Sequence, residues 1–451
     1  MQIIIVGAGI AGLSVALALS KSNHEVLVLE SAPQLAELGA GVQMTPQAIK
    51  YLFSWGLKED LLADCITPEK ILFKDSKDSA LIGALDMTTF EDEFCAPYIV
   101  IHRASLHHIL HRHAVQAGAR IRLDATVTRY DFENGSVELK GGEMLSADLV
   151  VGADGIYFLV VFLDSAENDL GINSFARSQL LGSSDPGTQP TGWAALRMMA
   201  ETSKIKANPI TASLVDLDTY NSNFWIAPDK SCMTYWIKDA SMLNIVLSHR
   251  DDIDMRNLTY EEHKEFVDDL FKDFDLPVRE LINLAIPKIV NYPVYAVPPL
   301  PHWVHPSGRF TLIGDAAHAM AFYMSMGVSL AVEDAVSLEV ALDHARELKT
   351  GQAGLEHALS VFEDVRKRRT ERVQKASLRA GDSYHVPDGK EREAMYKLMA
   401  QPNYFPEPSM DDPSEAEDGI GGLANKWTRG WCFTFSAYGS VDRRFDEEML
   451  G

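Results

Sequence analysis

The sequence predicts an α/β protein: a largely parallel, doubly wound sheet, an inserted antiparallel-sheet domain, and C-terminal helices. Three observations carry this expectation. The chain opens on a β-branched run, Gln2 to Val6, followed by a glycine-rich turn, an Ala- and Leu-rich helix and a second strand, Glu25 to Leu29. Two later apolar runs, Asp148 to Gly155 and Gly308 to His318, each contain a buried strand closed by a Gly/Asp turn. Between them, residues from about Thr191 to Pro298 lack glycine fingerprints and alternate like sheet.

The chain's 451 residues suit two or three packed units rather than one small core. A hydrophobic fraction of 46% and a charged fraction of 23% are those of an ordinary globular protein. The net charge of −23 argues against nucleic acid as a partner, because phosphate binding needs a basic surface. Cys65, Cys95, Cys232 and Cys432 are far apart and form no CxxC pair, so neither a zinc site nor a disulfide framework is expected. Scattered thiols, no basic segment ahead of Ile3 and no apolar run long enough to cross a bilayer together suggest a cytoplasmic protein without a membrane partner.

The opening segment carries the first chemistry. Gly7, Gly9 and Gly12 form a GxGxxG turn between strand and helix. Gly7 permits the tight turn, Gly9 lets backbone approach a pyrophosphate, and Gly12 lets helix and strand pack closely. The helix start presents free N–H groups and the positive end of its dipole. Glu30, at the end of the second strand, stands where an acid accepts hydrogen bonds from a ribose. Together these read as a Rossmann-type dinucleotide site.

Two further acids point to FAD. Asp315 closes the strand before Ala316-Ala317-His318, and an acid there can bind ribitol hydroxyls. Gly327 and Val328 then open a helix whose start can face an isoalloxazine edge. Asp154 ends the other strand in a DG turn. With Asp154 and Asp315 each also suited to capping a helix or shaping a turn, both uses stay open.

With these motifs in order, the chain resembles the single-component aromatic-ring flavin monooxygenases, including salicylate hydroxylase-like and fungal phenol-dearomatising enzymes. The resemblance runs over nearly the whole chain. It implies that Arg103, within His102-Arg103-Ala104-Ser105-Leu106, contacts the flavin. It also implies that Gly41, in Gly39-Ala40-Gly41-Val42-Gln43, lies in the loop where the flavin ring moves, and that Asp154 serves both FAD and a nicotinamide donor. In the middle domain, Arg197 and Tyr235 match loosely an Arg/Tyr pair that relatives use to hold a phenolate. A cation there favours the ionised, electron-rich ring. The nearby aromatics Trp193, Tyr220, Phe224, Trp225 and Trp236 either line that pocket or simply pack the core.

The resemblance thus implies a monooxygenase in which NADH or NADPH reduces FAD, O2 adds to give a flavin hydroperoxide, and a phenolic or related small aromatic molecule is hydroxylated. No metal is required. The four histidines His107, His108, His111 and His113 read as one partly exposed helix rather than a metal patch. His318 and Tyr235 are candidates to assist proton transfer. A flavin oxidase or dehydrogenase, and a non-catalytic flavin-binding protein, stay open as alternatives. The sequence sets neither the substrate nor an oligomeric state.

The expected organisation is a discontinuous FAD domain (1–185 and 295–345), a substrate-binding sheet domain (186–294), a helical region (346–400) and a loose tail (401–451). The basic run Arg366-Lys367-Arg368-Arg369 is expected on a solvated or domain-bridging helix face. Phe322 and Met326 depart from the family pattern, which has Pro and a polar residue there. One segment, 156–171, interrupts the family's DG-Ile-x-Ser-x-x-Arg run, which resumes at Ile172-Asn173-Ser174-Phe175-Ala176-Arg177. It reads as a retained intron in a fungal gene, with a surface insertion as the alternative. In the chain as given, the segment is expected to draw Ser174 and Arg177 away from the flavin.

Overall fold

The computed structural model describes residues 1–35, 41–156, 173–252, 258–285, 290–348, 351–401 and 419–450. Apart from Ile156, the interrupting segment 156–171 lies outside these residues, as do Gly39 and Ala40.

Strand Gln2–Val6 is the centre of a five-stranded parallel sheet. Its neighbours are Leu149–Gly152 on one side and Glu25–Leu29 on the other. Phe310–Leu312 and Arg120–Arg122 form the edges. Ile3, Ile4 and Ile5 are almost fully buried, which explains why this strand is continuously apolar rather than alternating. Helix Ile10–Lys21 covers the sheet and packs against helices Arg103–Gln116 and Gly327–Leu348. Leu13, Val15, Ala16 and Leu17 are sealed in that contact.

A second sheet has seven strands in the order Val290–Ala296, Gln189–Glu201, Met242–Arg250, Lys230–Ile237, Ser222–Ala227, Lys70–Asp75 and Leu81–Asp86. It is antiparallel except where Ser222–Ala227 meets Lys70–Asp75 in parallel. The hairpin 70–86 therefore belongs to the seven-stranded sheet, although the expected boundary assigned all of 1–185 to the FAD domain. The hairpin's alternating Ile71, Phe73 and Leu85 are buried in the second core, which this sheet shares with Trp225 and Trp236.

In the C-terminal region the basic run takes a bridging rather than a solvated face, pairing Arg366 and Arg369 with Glu333 and Asp334 of helix Gly327–Leu348, and the tail departs from expectation. Helix Gln352–Tyr384 does not present its whole basic run to solvent: Arg366 is 0% exposed and Arg369 is 6% exposed. Arg368 alone of the four is largely free in water, paired with Asp364. The tail is not loose where it is described. Helices Lys426–Phe433 and Ala437–Leu450 bury Cys432, Phe433, Ala437, Val441 and Phe445. Tyr51 donates to the Phe435 carbonyl and accepts from the Ala437 N–H, tying this tail to the cofactor-side layer. These aromatics alternate with charge at helical spacing, so their packing partners lay too far away in sequence to be read locally.

Among the described residues no helix is long and apolar enough to cross a membrane, and no group of His, Cys, Asp and Glu is arranged to hold a metal ion. His107 is buried, its Nε2–H donating to the Ala8 carbonyl, while His113 pairs with Asp60. The histidine helix thus serves two packing contacts, one of them directly behind the glycine turn.

Candidate active site

Two cavities adjoin at the end of the parallel strands, where ligands of open α/β sheets gather. One, of about 330 Å³, is lined by Gly7, Gly9, Glu30, Asp154 and Tyr130 among others. The other, of about 400 Å³, runs between the two sheets. Gly9, Arg103, Ala153, Gly155 and Asp315 line both, so the pair forms one extended groove.

The glycine turn is built by contact distances. A Cβ on Gly7, whose φ is +109°, would lie 2.4 Å from the Ala153 carbonyl oxygen. One on Gly12 would lie 2.0 Å from the Gly7 oxygen. One on Gly9 would meet nothing within 4 Å. Gly7 and Gly12 are therefore fixed by the protein itself, whereas Gly9 faces open cavity. Glu30 holds the turn from the far side: Oε2 accepts from the Ala8 N–H at 2.8 Å and Oε1 from the Ala32 N–H at 2.8 Å.

Asp154 and Asp315 resolve differently. Asp154 accepts from the Ser174 hydroxyl at 2.5 Å and from the Ala176 N–H at 2.9 Å, so it braces the start of helix Phe175–Leu181 while lining the groove. Burial pushes its carboxyl above the usual range, and these hydrogen bonds oppose the rise. The expected displacement of Ser174 and Arg177 is thus corrected: both halves of the interrupted motif meet in space. Arg177, 0% exposed, also donates to the Ala316 carbonyl and so joins this helix to the Gly314-Asp315 turn. Asp315 sits deep in the protein, yet its side chain is open to the groove. Burial raises its carboxyl, and His318 and Arg103 pull it back.

The inter-sheet cavity has two ends. Gly327 and Val328 bring the start of helix Gly327–Leu348 to one of them, with Ala331 one turn on. Ser325, before it, holds a left-handed φ of +54° that few side chains adopt. Ile71, Phe73, Phe224, Met233 and Tyr384 line the other end, with Arg197 and Tyr235. Trp225 and Trp236 instead pack in the core, since neighbouring strand residues face opposite ways, while Trp193 packs against Tyr323 and His385.

Tyr235 has a partner that sequence reasoning missed. Its hydroxyl donates to the Gly41 carbonyl at 2.7 Å, and Asn244 Oδ1 accepts the Gly41 N–H at 3.0 Å. A Cβ on Gly41 would sit 2.3 Å from the Tyr235 ring. Burial pushes the Tyr235 phenol up to about 12, with Arg197 opposing, so it stays protonated at neutral pH. Arg197 lies over the Tyr292 ring at 5.8 Å. Of the two departures from the family pattern, Phe322 lines the cavity, while Met326 is buried and accepts from Gln47 Nε2 through its sulfur. His318 is not among the residues lining the groove; its Nε2–H donates to Asp334 at 2.7 Å.

A fold with this groove is that of a flavoprotein oxidoreductase. The FAD binding domain family matches residues 1–161. The chain is 32% identical over 400 residues to 3-hydroxybenzoate 6-hydroxylase 1 of Aquipseudomonas alcaligenes, covering 86% of this chain and 91% of that one. It is 29% identical over 403 residues to the FAD-dependent monooxygenase OpS4 of Beauveria bassiana (strain ARSEF 2860), covering 88% and 89%. A solved salicylate hydroxylase substrate complex shares the fold, with a TM-score of 0.74 at 21% identity over 98% of each chain. The chain belongs to the FAD-dependent monooxygenase family that includes aromatic-ring hydroxylases.

The residues present fit FAD. The open space at Gly9 admits a diphosphate against backbone N–H groups, and Asp315 offers an unobstructed carboxylate to hydroxyl donors. Gly327 and Val328 close the far side with a helix N-terminus suited to an electron-rich ring edge.

Proposed function

We propose that this chain hydroxylates a phenolic small molecule, consuming reduced nicotinamide (NADH or NADPH) and O2. The observation that carries this reading is the position of Arg197 and Tyr235: they line the same cavity as Asp315, Gly327 and Val328, at its aromatic end. FAD, when bound, would supply the two-electron redox chemistry and the activation of O2; overall, reduced nicotinamide and O2 yield hydroxylated product, oxidised nicotinamide and water.

The chain's own residues do the rest. The Arg197 guanidinium stabilises a phenolate over a phenol, and so raises the ring's electron density at the carbon to be oxidised. Phe73, Phe224 and Tyr384 wall the ring and exclude water, which strengthens that attraction. Tyr235 stays a neutral donor and holds the loop at Gly41. Asp154, Arg103 and Glu30 line the outer groove, where the cofactor's phosphates and ribose would be held, and Asp154 also stands where a nicotinamide donor could approach.

The test is oxygen labelling. Purified yellow protein is supplied with reduced nicotinamide and a panel of phenols under 18O2. Product carrying one labelled atom, with nicotinamide oxidation stimulated by the phenol, supports the proposal. Stoichiometric hydrogen peroxide with no label in product would assign an oxidase instead. Protein that never oxidises a nicotinamide would leave only flavin binding.

A further inference from the structure

Beneath the groove lies a closed cluster of four charges. Glu333 and Asp334 are consecutive on helix Gly327–Leu348, and Arg366 and Arg369 come from helix Gln352–Tyr384. All four are buried. Arg366 donates to Asp334 Oδ1 through Nε at 2.8 Å and to Glu333 Oε2 through a terminal nitrogen at 2.7 Å. Arg369 donates to Glu333 Oε1 at 3.1 Å and to the Cys432 carbonyl at 2.8 Å.

The second oxygen of Asp334 is not part of that charge balance. Oδ2 accepts the Gly314 N–H at 2.8 Å and the His318 Nε2–H at 2.7 Å. These two donors flank Asp315, whose carboxylate opens into the groove. The same helix that carries Asp334 begins at Gly327 and Val328, which line the groove as Asp315 does. One carboxylate therefore links the Asp315 turn to the helix start, two parts of the groove's wall.

We propose that Asp334 is a positioning residue for FAD: by bonding both sides of Asp315 from the helix that starts at Gly327, it fixes the separation of these two parts of the wall, which grip the cofactor. Arg366 makes this possible by holding Oδ1, which leaves Oδ2 free to face the turn. His318 is the partner that orients the turn. Neither Asp334 nor His318 lines the groove, so each would act on the cofactor only through Asp315.

The test compares FAD affinity with stability. Asp334→Asn keeps the shape but replaces an acceptor oxygen with a donor, setting N–H against N–H at the turn or at Arg366. FAD dissociation from this variant, followed by flavin fluorescence on reconstituted apoprotein, is expected to weaken at least about tenfold. The FAD-induced rise in Tm should shrink with it. Leu359→Ala, a core truncation in helix Gln352–Tyr384 whose apolar side chain makes no hydrogen bond to the turn, serves as the stability control. It should lower Tm while leaving FAD affinity within about twofold. Should Asp334→Asn fail to fold, His318→Leu is expected to weaken FAD binding and His318→Gln, which restores an N–H, to recover it. Unchanged affinity in Asp334→Asn, or an equal loss in Leu359→Ala, overturns the proposal. So does His318→Leu that binds FAD like the parent.

Discussion

Ser174 donates its hydroxyl to the Asp154 carboxylate at 2.5 Å across twenty positions of sequence. The Ala176 N–H reaches the second oxygen of the same carboxylate, so the interrupted motif is complete without the residues between. Removing 156–171, which joins Gly155 to Ile172, should therefore give a folded, yellow protein. Its flavin-to-protein ratio should equal the parent's and its Tm should stay within about 1 °C, an offset worth about 1 kcal/mol in a chain of this size. A colourless or aggregated deletion variant would make the segment part of the working protein. Sequencing the mature transcript gives an independent answer on the retained intron.

Gly9 and Gly12 should separate binding from folding. A side chain at Gly9 enters open cavity, so Gly9→Val should keep the parent's apoprotein Tm and lose most bound FAD. At Gly12 the same substitution drives a Cβ into the Gly7 carbonyl, and Gly12→Val should yield little soluble protein. Flavin absorbance and a thermal melt on the two variants check both outcomes. Full FAD occupancy in Gly9→Val would remove the cofactor assignment for this turn.

At the aromatic end, Arg197→Gln should raise KM for a phenolic substrate on the order of tenfold or more, because a desolvated charge-assisted contact is lost. Tm should change little, since the guanidinium lines the cavity and lies over the 40% exposed Tyr292 ring. Tyr235→Phe should behave differently. It strips the buried Gly41 carbonyl of its donor, which costs about 1–3 kcal/mol. Its expected signature is a lower Tm together with weaker flavin retention, measured by ultrafiltration.

Acid should destabilise the fold in a defined window. Burial pushes His385 from an ordinary 6.5 down to about 4. Its Nδ1–H donates to the Gly381 carbonyl while Nε2 accepts from Ser231, which suits the neutral ring. Above about pH 6.5 both folded and unfolded chains hold the neutral form, and the full stability is present. As pH falls from there towards about 4, the unfolded chain binds a proton that the folded chain refuses, and stability drops. His24, similarly pushed down to about 4 by burial, adds to the slope. Thermal melts at several pH values should show His385→Gln with a shallower acid decline than the parent. Parallel declines would remove His385 from the cause.

The cofactor half of the molecule was legible because its determinants are local. Gly7, Gly9, Gly12 and Glu30 fall within one βαβ unit, and Asp315 and Gly327 within one strand–turn–helix, so spacing alone carries their geometry. The buried cluster was not legible. Nothing near Arg366 or Arg369 signals that Glu333 lies across the helix interface, 33 and 36 positions away. A basic run normally implies water, and here tertiary pairing overrides that preference. The Tyr235–Gly41 hydrogen bond was hidden for the same reason, at a separation of 194 residues. The hairpin 70–86 escaped because alternation marks a strand without naming its sheet.

The order in which strands join the first sheet has a consequence for biosynthesis. Its edge strand, Phe310–Leu312, is made only after the whole second sheet, and Gly327 follows later still. A ribosome must therefore release most of the polypeptide before both parts of the groove's wall exist together. An N-terminal fragment ending short of that helix can hold the outer cavity, whose lining ends at Asp315, but not the complete groove, to which Gly327, Val328 and Ala331 contribute.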